Sequence, residues 1–472
     1  MSFDRRDFLK LSGAAVAAAA VPNTISALSA GSPSGEISVW TTAGTQRHAK
    51  QPSLSWSKNT STGSDVINVD SSREYQNVLG FGAAFTDAAC FTLNRLEPAA
   101  RKQILHTLFD PSQMGLSVSR ICIGSSDYST KEYSYDEGPD PDPQFQRFSI
   151  DHDRAYILPI LKEVRAVNPD MWLLGSPWSP PAWMKPNKSM LGGCMRRSSL
   201  APYAQYFEKF LDAYAAEGVR INSVTPQNEI DTEQDGRMPA CCWPQEYEIE
   251  FVRDHLGPRM AKSVNPADIW ILDHNYNLWG RVVCELEDEG ARRFIKGVAW
   301  HGYVGSPEQM MNVKKVFPQV DMFWTEGGPD FEGTTYLTEW AKWADTFTGI
   351  LRNQARCIIA WNYALDEKGN PNIGPFKCAG LVTIDSKTRQ ITQSGQFWAF
   401  AHFSGHIKRD ARIVDSSGTT DVKHVLAKNP NGDMVAVLTN TTTQAKSVTL
   451  AQGGASVKLE LPADSITTLA WS

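Results

Sequence analysis

The chain has 472 residues, 42% of them hydrophobic, and a formal net charge of −6 at pH 7. That length allows two domains with sizeable cores. No stretch concentrates Lys and Arg, which excludes nucleic acid as the main partner, because neutralising phosphates takes a clustered basic face. The 15 Trp and 13 Tyr are flat rings that serve either as core or as platforms for the apolar face of a sugar, and composition does not choose between the two.

Residues 1–30 stand apart from the fold. Asp4-Arg5-Arg6-Asp7-Phe8-Leu9-Lys10 precedes the soft apolar run LSGAAVAAAA, and together they resemble a twin-arginine export signal, although Asp4 stands where Ser or Thr is usual. The run is too short for a membrane span and Pro22 interrupts it, while small residues around Ala27 to Ala30 suit cleavage. The expected location is the periplasm or the medium. Eight Cys in so long a chain make no disulfide scaffold. Cys122 and Cys357 lie in apolar strand-like runs and read as buried thiols, and Cys241 and Cys242 are adjacent. No C-x-x-C, H-E-x-x-H or spaced His/Cys cluster occurs, so neither a metal nor a cofactor is implied.

Residues 31–76 carry strand chemistry in ISVWTTA and DVINVD, and residues 401–472 carry more of it in VKHVLAKN, DMVAVLTN, KSVTLAQ and ASVKLELPADSITTLAWS. Neither segment closes a sandwich alone, so both are expected in one β-domain. Between them, residues 77–400 alternate short apolar strands with amphipathic helical stretches such as APYAQYFEKFLDAYAAEG and PQEYEIEFVRDHL. Eight strands read in order: GFGAAF, LSVSRICIG, MWLLGSPW, INSVTPQNE, DIWILDHN, GVAWHGY, DMFWTEG and CIIAWNY. That rhythm predicts an α/β fold, a (β/α)8 TIM barrel, with an accessory β-sandwich built from the N- and C-terminal segments. A doubly wound open sheet competes, but no G-x-G-x-x-G or P-loop follows any strand.

The polar residues gather at the strand ends: Trp178, Asn228-Glu229, His274-Asn275, His301 and Tyr303, Glu326, and Trp361-Asn362. In a barrel these ends meet at one face, where such barrels carry their active sites. Glu229 ends the fourth strand and Glu326 the seventh, nearly opposite, and a facing pair of carboxyls is what glycoside hydrolysis needs. Asn228 can hydrogen-bond a sugar hydroxyl beside the reacting carbon.

The Asn-Glu after strand four and Glu after strand seven resemble the large clan of retaining barrel glycosidases. GFGAAFTDAAC, RICIGSSDYS with YSYDEGPDPDPQFQRFSI, GSPWSPPAWMK, FEKFLDAYAAEGVRINSVTPQNE, GLVTIDSKT and FWAFAHFSGHIK resemble, more closely, glycoside hydrolase family 30, the glucosylceramidase-like enzymes. The resemblance implies a retaining β-glycosidase with Glu229 as acid/base and Glu326 as nucleophile. It also implies that Asp127, Trp178, Asn228, Tyr303 and Trp361 hold the sugar. Arg120, within the second strand, is expected as a buried ion-pair partner that orients a carboxylate. Two facing carboxylates are expected to push the acid toward neutrality, and retention implies carboxyls about 5–5.5 Å apart. The sequence departs from the family pattern at Ile230, at Gly302 and at Gly327-Gly328, which alters the rim and leaves the pair intact. The leading expectation is hydrolysis of a terminal β-glucosyl residue from a glucosylceramide-like glycolipid or another β-linked saccharide. An endo-β-1,6-glucanase is the alternative, and a carbohydrate-binding pseudoenzyme is a third reading that both glutamates oppose.

Overall fold

The computed structural model describes residues 33, 35–58, 63, 65–331, 334–418 and 421–472; the export signal lies outside the described residues. Four strands come first: β1 (Glu36–Ala43), β2 (Gln46–Ser55), β3 (Ser57–Lys58) and β4 (Val66–Asn77). Eight more follow between helices: β5 (Gly80–Phe85), β6 (Val118–Cys122), β7 (Trp172–Ser176), β8 (Ser223–Val224), β9 (Asp268–Asn275), β10 (Ile295–His301), β11 (Asp321–Glu326) and β12 (Ala355–Ala360). Each pairs in parallel with the next and β12 closes on β5, which makes a barrel. These strands read as near-continuous apolar runs because both of their faces are covered, one by helices and one by the barrel interior. The helix Leu200–Ala216 shows the outer layer, burying Leu200, Tyr203, Ala204, Phe207, Leu211 and Tyr214 at helical spacing.

The barrel interior is filled. Leu79, Val118, Leu174, Trp270, Ala299, Phe323, Cys357 and Ile359 form one buried cluster, with the Trp270 and Phe323 rings stacked at 3.7 Å between centroids. Above it a second cluster includes Cys122, Tyr128, Trp178, Met238 and Trp361. The upper cluster is the floor of a cavity open at the C-terminal end of the strands.

A small sheet, β13 (Ala364–Leu365), β14 (Val382–Ile384) and β15 (Ile391–Gln393), follows β12. The chain then forms β16 (Arg412–Ser417), β17 (Lys423–Lys428), β18 (Met434–Asn440), β19 (Lys446–Gln452), β20 (Ala455–Leu461) and β21 (Ser465–Trp471). These join the first four strands in one ten-stranded sheet of order β2-β1-β21-β18-β17-β16-β4-β19-β20-β3. The N-terminal strands are woven into it: β1 lies between β2 and β21, and β4 between β16 and β19. Its core draws Ile37, Val39 and Ile67 from one end of the chain and Leu426, Leu438, Leu450 and Leu469 from the other. Neither terminal segment could bury these side chains alone.

One predicted strand is much shorter than expected. INSVTPQNE yields only Ser223–Val224, because Pro226 has no N–H for the ladder and the backbone turns away after it. Glu229 therefore sits on a loop five residues beyond β8, with a positive φ of 49°. Its N–H donates to the Asp273 carbonyl at 3.0 Å, which fixes the turn.

Candidate active site

A cavity of about 360 Å³ opens at the C-terminal end of the barrel. Asp127, Trp178, Asn228, Glu229, Tyr303, Glu326 and Trp361 all line it, so the seven site residues expected from the sequence converge on one place. A larger cavity of about 600 Å³ lies at the opposite end, near the strand starts Trp172 and Asp268, and contains neither glutamate.

Arg120 organises the floor. It is fully buried on β6; its guanidinium bonds Glu326 Oε2 and donates to Asp273 Oδ2 and Asn228 Oδ1, each at 2.6 Å, and to Ser176 Oγ at 3.0 Å. It also lies 4.5 Å from the centroid of Trp178, whose ring stacks on Trp361 at 5.1 Å. With the Asn228 oxygen occupied by Arg120, the amide NH2 is the group left for a ligand. Glu326 ends β11 with its second oxygen, Oε1, accepting from the Tyr303 hydroxyl at 2.9 Å. Both its oxygens are thus held by donors, which fixes the rotamer of the carboxylate. Asp127 is 4% exposed and packs against Gly374, where an added Cβ would come within 2.4 Å of its own Cβ. Burial and then the charges of Glu326 and Glu229 raise its carboxyl well above the usual range.

The carboxylate of Glu229 is set by two histidines and an amide. His301 Nδ1 lies 3.5 Å and His274 Nδ1 3.6 Å from its Oε1, and Gln234 Nε2 donates to Oε2 at 2.9 Å. His274 is held from behind by Asp231 at 2.8 Å, and His301 by Asp273 at 3.0 Å. His301 Nε2 also lies 3.9 Å from Glu326 Oε2, so one imidazole faces both glutamates. Burial works to lower His301, but the charge of Glu326 and the bonds to Asp273 and Glu229 raise it to about 9. Burial works to raise Glu229, yet the His301 bond and the charges of His274 and His301 hold it below the usual carboxylate range. This corrects the sequence expectation of an acid pushed toward neutrality: pairing with cationic imidazole outweighs repulsion between the two glutamates. Glu229, His274 and His301 bring one ligand atom each within 4.8 Å of one another, a set able to hold a divalent ion.

Asp273 is the residue the sequence reading passed over. It is wholly buried and accepts from Arg120, Thr225, Thr325, Ser176 and His301. Against burial, the Arg120 charge and the His301 bond hold its carboxyl far below the usual range. An Asp closing the apolar run DIWILD was the available signal. Gln234 and Asp231 gave none, since they lie on a loop whose course the sequence does not show. Two of the rim departures, Gly302 and Gly327, share a cause. A Cβ on Gly302 would meet Trp324 at 2.7 Å and one on Gly327 would meet it at 2.4 Å, so the two glycines make room for one buried indole. Ile230 is buried in the barrel-side core.

Residues 78–407 match the family model described as the glycosyl hydrolase family 30 TIM-barrel domain, and residues 410–469 that of the family 30 beta sandwich domain. Residues 2–22 match a twin-arginine translocation signal sequence, which directs export to the periplasm or the medium. The chain is 30% identical over 385 residues to an endo-1,6-beta-D-glucanase of Neurospora crassa, covering 77% of this chain and 79% of that one. It is 29% identical over 440 residues to putative glucosylceramidase 4 of Caenorhabditis elegans, covering 86% and 82%. A solved structure of an endo-beta1,6-glucanase superposes with a TM-score of 0.84 at 28% identity, covering 93% of this chain and 99% of that one. Among the described residues no helix is long and apolar enough to cross a membrane.

Proposed function

The chain belongs to glycosyl hydrolase family 30, and from that premise we propose that it hydrolyses β-glucosides with retention, Glu326 attacking the anomeric carbon and Glu229 serving as acid and then base. The observation that carries this reading is the shared imidazole of His301 between two differently held carboxylates. Glu326, held at both carboxyl oxygens by Arg120 and Tyr303, is fixed in position to attack. Glu229 lies 3.5 Å from Nδ1 of His301, whose imidazolium would supply the proton for the acid step. Once the ester forms, the Glu326 charge is gone, and a Glu229 held low is already the carboxylate that activates water. Asp127, Asn228, Trp178, Tyr303 and Trp361 would bind the glucosyl ring, with the half-exposed Tyr303 and Phe376 at the mouth meeting the aglycone.

The aglycone of the first choice is that of a glucosylceramide-like glycolipid or a simple β-glucoside. A second reading, endo-cleavage of β-1,6-glucan, is favoured by the names of two of the relatives above. Product analysis on aryl β-glucoside, glucosylceramide and β-1,6-glucan separates them. The roles of the glutamates are tested by azide rescue. Glu229→Ala should still glycosylate with a good leaving group, accumulate the ester and yield β-glycosyl azide. Glu326→Ala should lose hydrolysis and yield the α-azide. Swapped anomers would reverse the roles, and an inverted first product from the wild type, seen by NMR, would remove retention.

A further inference from the structure

Two segments pack against each other beyond the C-terminal end of the barrel strands. One, after β7, runs through Lys185 to Met195; the other, after Glu229, runs through Thr232, Gln234 and Met238 to Trp243 and lines the cavity. They are joined by short backbone ladders. Leu191 bridges Pro239, and Cys194 bridges Cys242 in the parallel sense, with the Cys242 N–H donating to the Gly193 carbonyl at 2.9 Å and the Met195 N–H to the Cys242 carbonyl at 3.1 Å. The buried ammonium of Lys185 ties the same pair of segments, donating to the Met190 carbonyl at 2.9 Å and the Ala240 carbonyl at 2.7 Å. Hydrogen bonds from residue 242 to both 193 and 195 put Cys194 directly opposite Cys242. Partners in a parallel ladder project to the same face, with strands about 4.8 Å apart. That separation falls inside the roughly 4.4–6.8 Å between Cα atoms that a disulfide spans.

We propose that Cys194 and Cys242 are a covalent modification site: in the exported protein they form a disulfide that fastens the loop carrying Gln234, which lines the cavity, to the segment after β7. The backbone bridge singles out this pair. Cys194 is exposed and Cys242 partly so, as are Cys284 and Cys378 respectively, but among the described residues only Cys194 and Cys242 are cysteines that stand opposite each other in a bridge; Cys241, the neighbour of Cys242, is buried, and Cys90, Cys122 and Cys357 are buried too. The two sulfurs already feel each other: burial, then the neighbouring Cys194 sulfur, push the Cys242 thiol up to about 11. The compartment reached through the twin-arginine signal is oxidising. The step is thiol–disulfide exchange. A protein or small-molecule disulfide accepts two electrons and leaves as two thiols, each cysteine loses its hydrogen, and one S–S bond forms between Sγ of Cys194 and Sγ of Cys242. Reduction by a dithiol reverses it.

The test counts thiols in the full chain exported by its own signal. Purified protein is denatured in excess alkylating reagent with and without prior reduction. Of the eight cysteines, six should be alkylated without reduction and eight after it. Peptides containing Cys194 and Cys242 should be joined, and the link should vanish in Cys194→Ser and in Cys242→Ser but persist in Cys241→Ser, which resolves the adjacent pair. Reduction should lower the Tm of the wild type and leave that of Cys194→Ser unmoved. Eight free thiols in the exported wild type, or a link that survives Cys242→Ser, would overturn the proposal. The wild-type count stands whether or not a serine variant folds.

Discussion

His301→Gln isolates the charge at the centre of the site. Glutamine keeps a donor toward Asp273 and removes the titratable ring. His301 is fully buried and its folded value is about 9 against 6.5. At about 1.4 kcal/mol for each pH decade, that rise of 2.5 corresponds to about 3 kcal/mol of stability from the imidazolium. Because the folded value is raised, this contribution is complete below pH 6.5, declines as pH climbs, and is gone above about 9. Urea unfolding of wild type and variant, followed by tryptophan fluorescence, should therefore show a stability gap about 3 kcal/mol wider at pH 6 than at pH 9.5. The comparison cancels the groups whose surroundings are the same in both proteins. The same variant removes the group that most lowers Glu229, so the alkaline limb of its kcat/KM profile should move to higher pH. A gap of equal size at both pH values would mean that His301 is neutral in the fold, and the account of Glu229 would fall with it.

Arg120→Met should cost about 3–5 kcal/mol in urea unfolding and nearly abolish turnover, since it strands Asp273 and Glu326 without their cation. Deleting residues 405–472 should give insoluble or molten protein by near-UV circular dichroism, because β1 and β4 lose their partners β21, β16 and β19; a soluble fragment with a cooperative melt would refute the shared core. Gly302→Ala should lower stability by about 1–3 kcal/mol through the Trp324 contact, and the pair Gly302→Ala with Trp324→Phe should recover part of that loss in the same melts.

Apolar runs of strand length alternating with amphipathic helices left little choice of architecture, because each face of each element has to be covered. Period-two patterning at both termini likewise fixed that those segments are sheet. Glu229 and Glu326 were legible only as a pair: a single carboxylate at an apolar strand end is readily a salt-bridge partner, as Asp273 is, but two of them at the ends of nearly opposite strands fit glycoside hydrolysis. What the linear pattern could not decide is which polar groups meet across the barrel. Arg120, Asp273 and His301 lie on β6, β9 and β10, and their mutual charges are defined only when the strands close on one axis. The direction of the Glu229 shift followed from that closure. Sequence supplied the second carboxylate, which raises an acid, while the histidines that lower it arrive from strands 45 and 72 residues away. The loop after β8 was equally closed to inspection. Pro226 ends the strand early, and only the folded backbone, turning at a positive φ on Glu229 and pairing Cys194 with Cys242, sets where Gln234 comes to rest. Local sequence dictates local periodicity; the electrostatics of a buried site depend on distances between segments that are remote in the chain, and those exist only once it has folded.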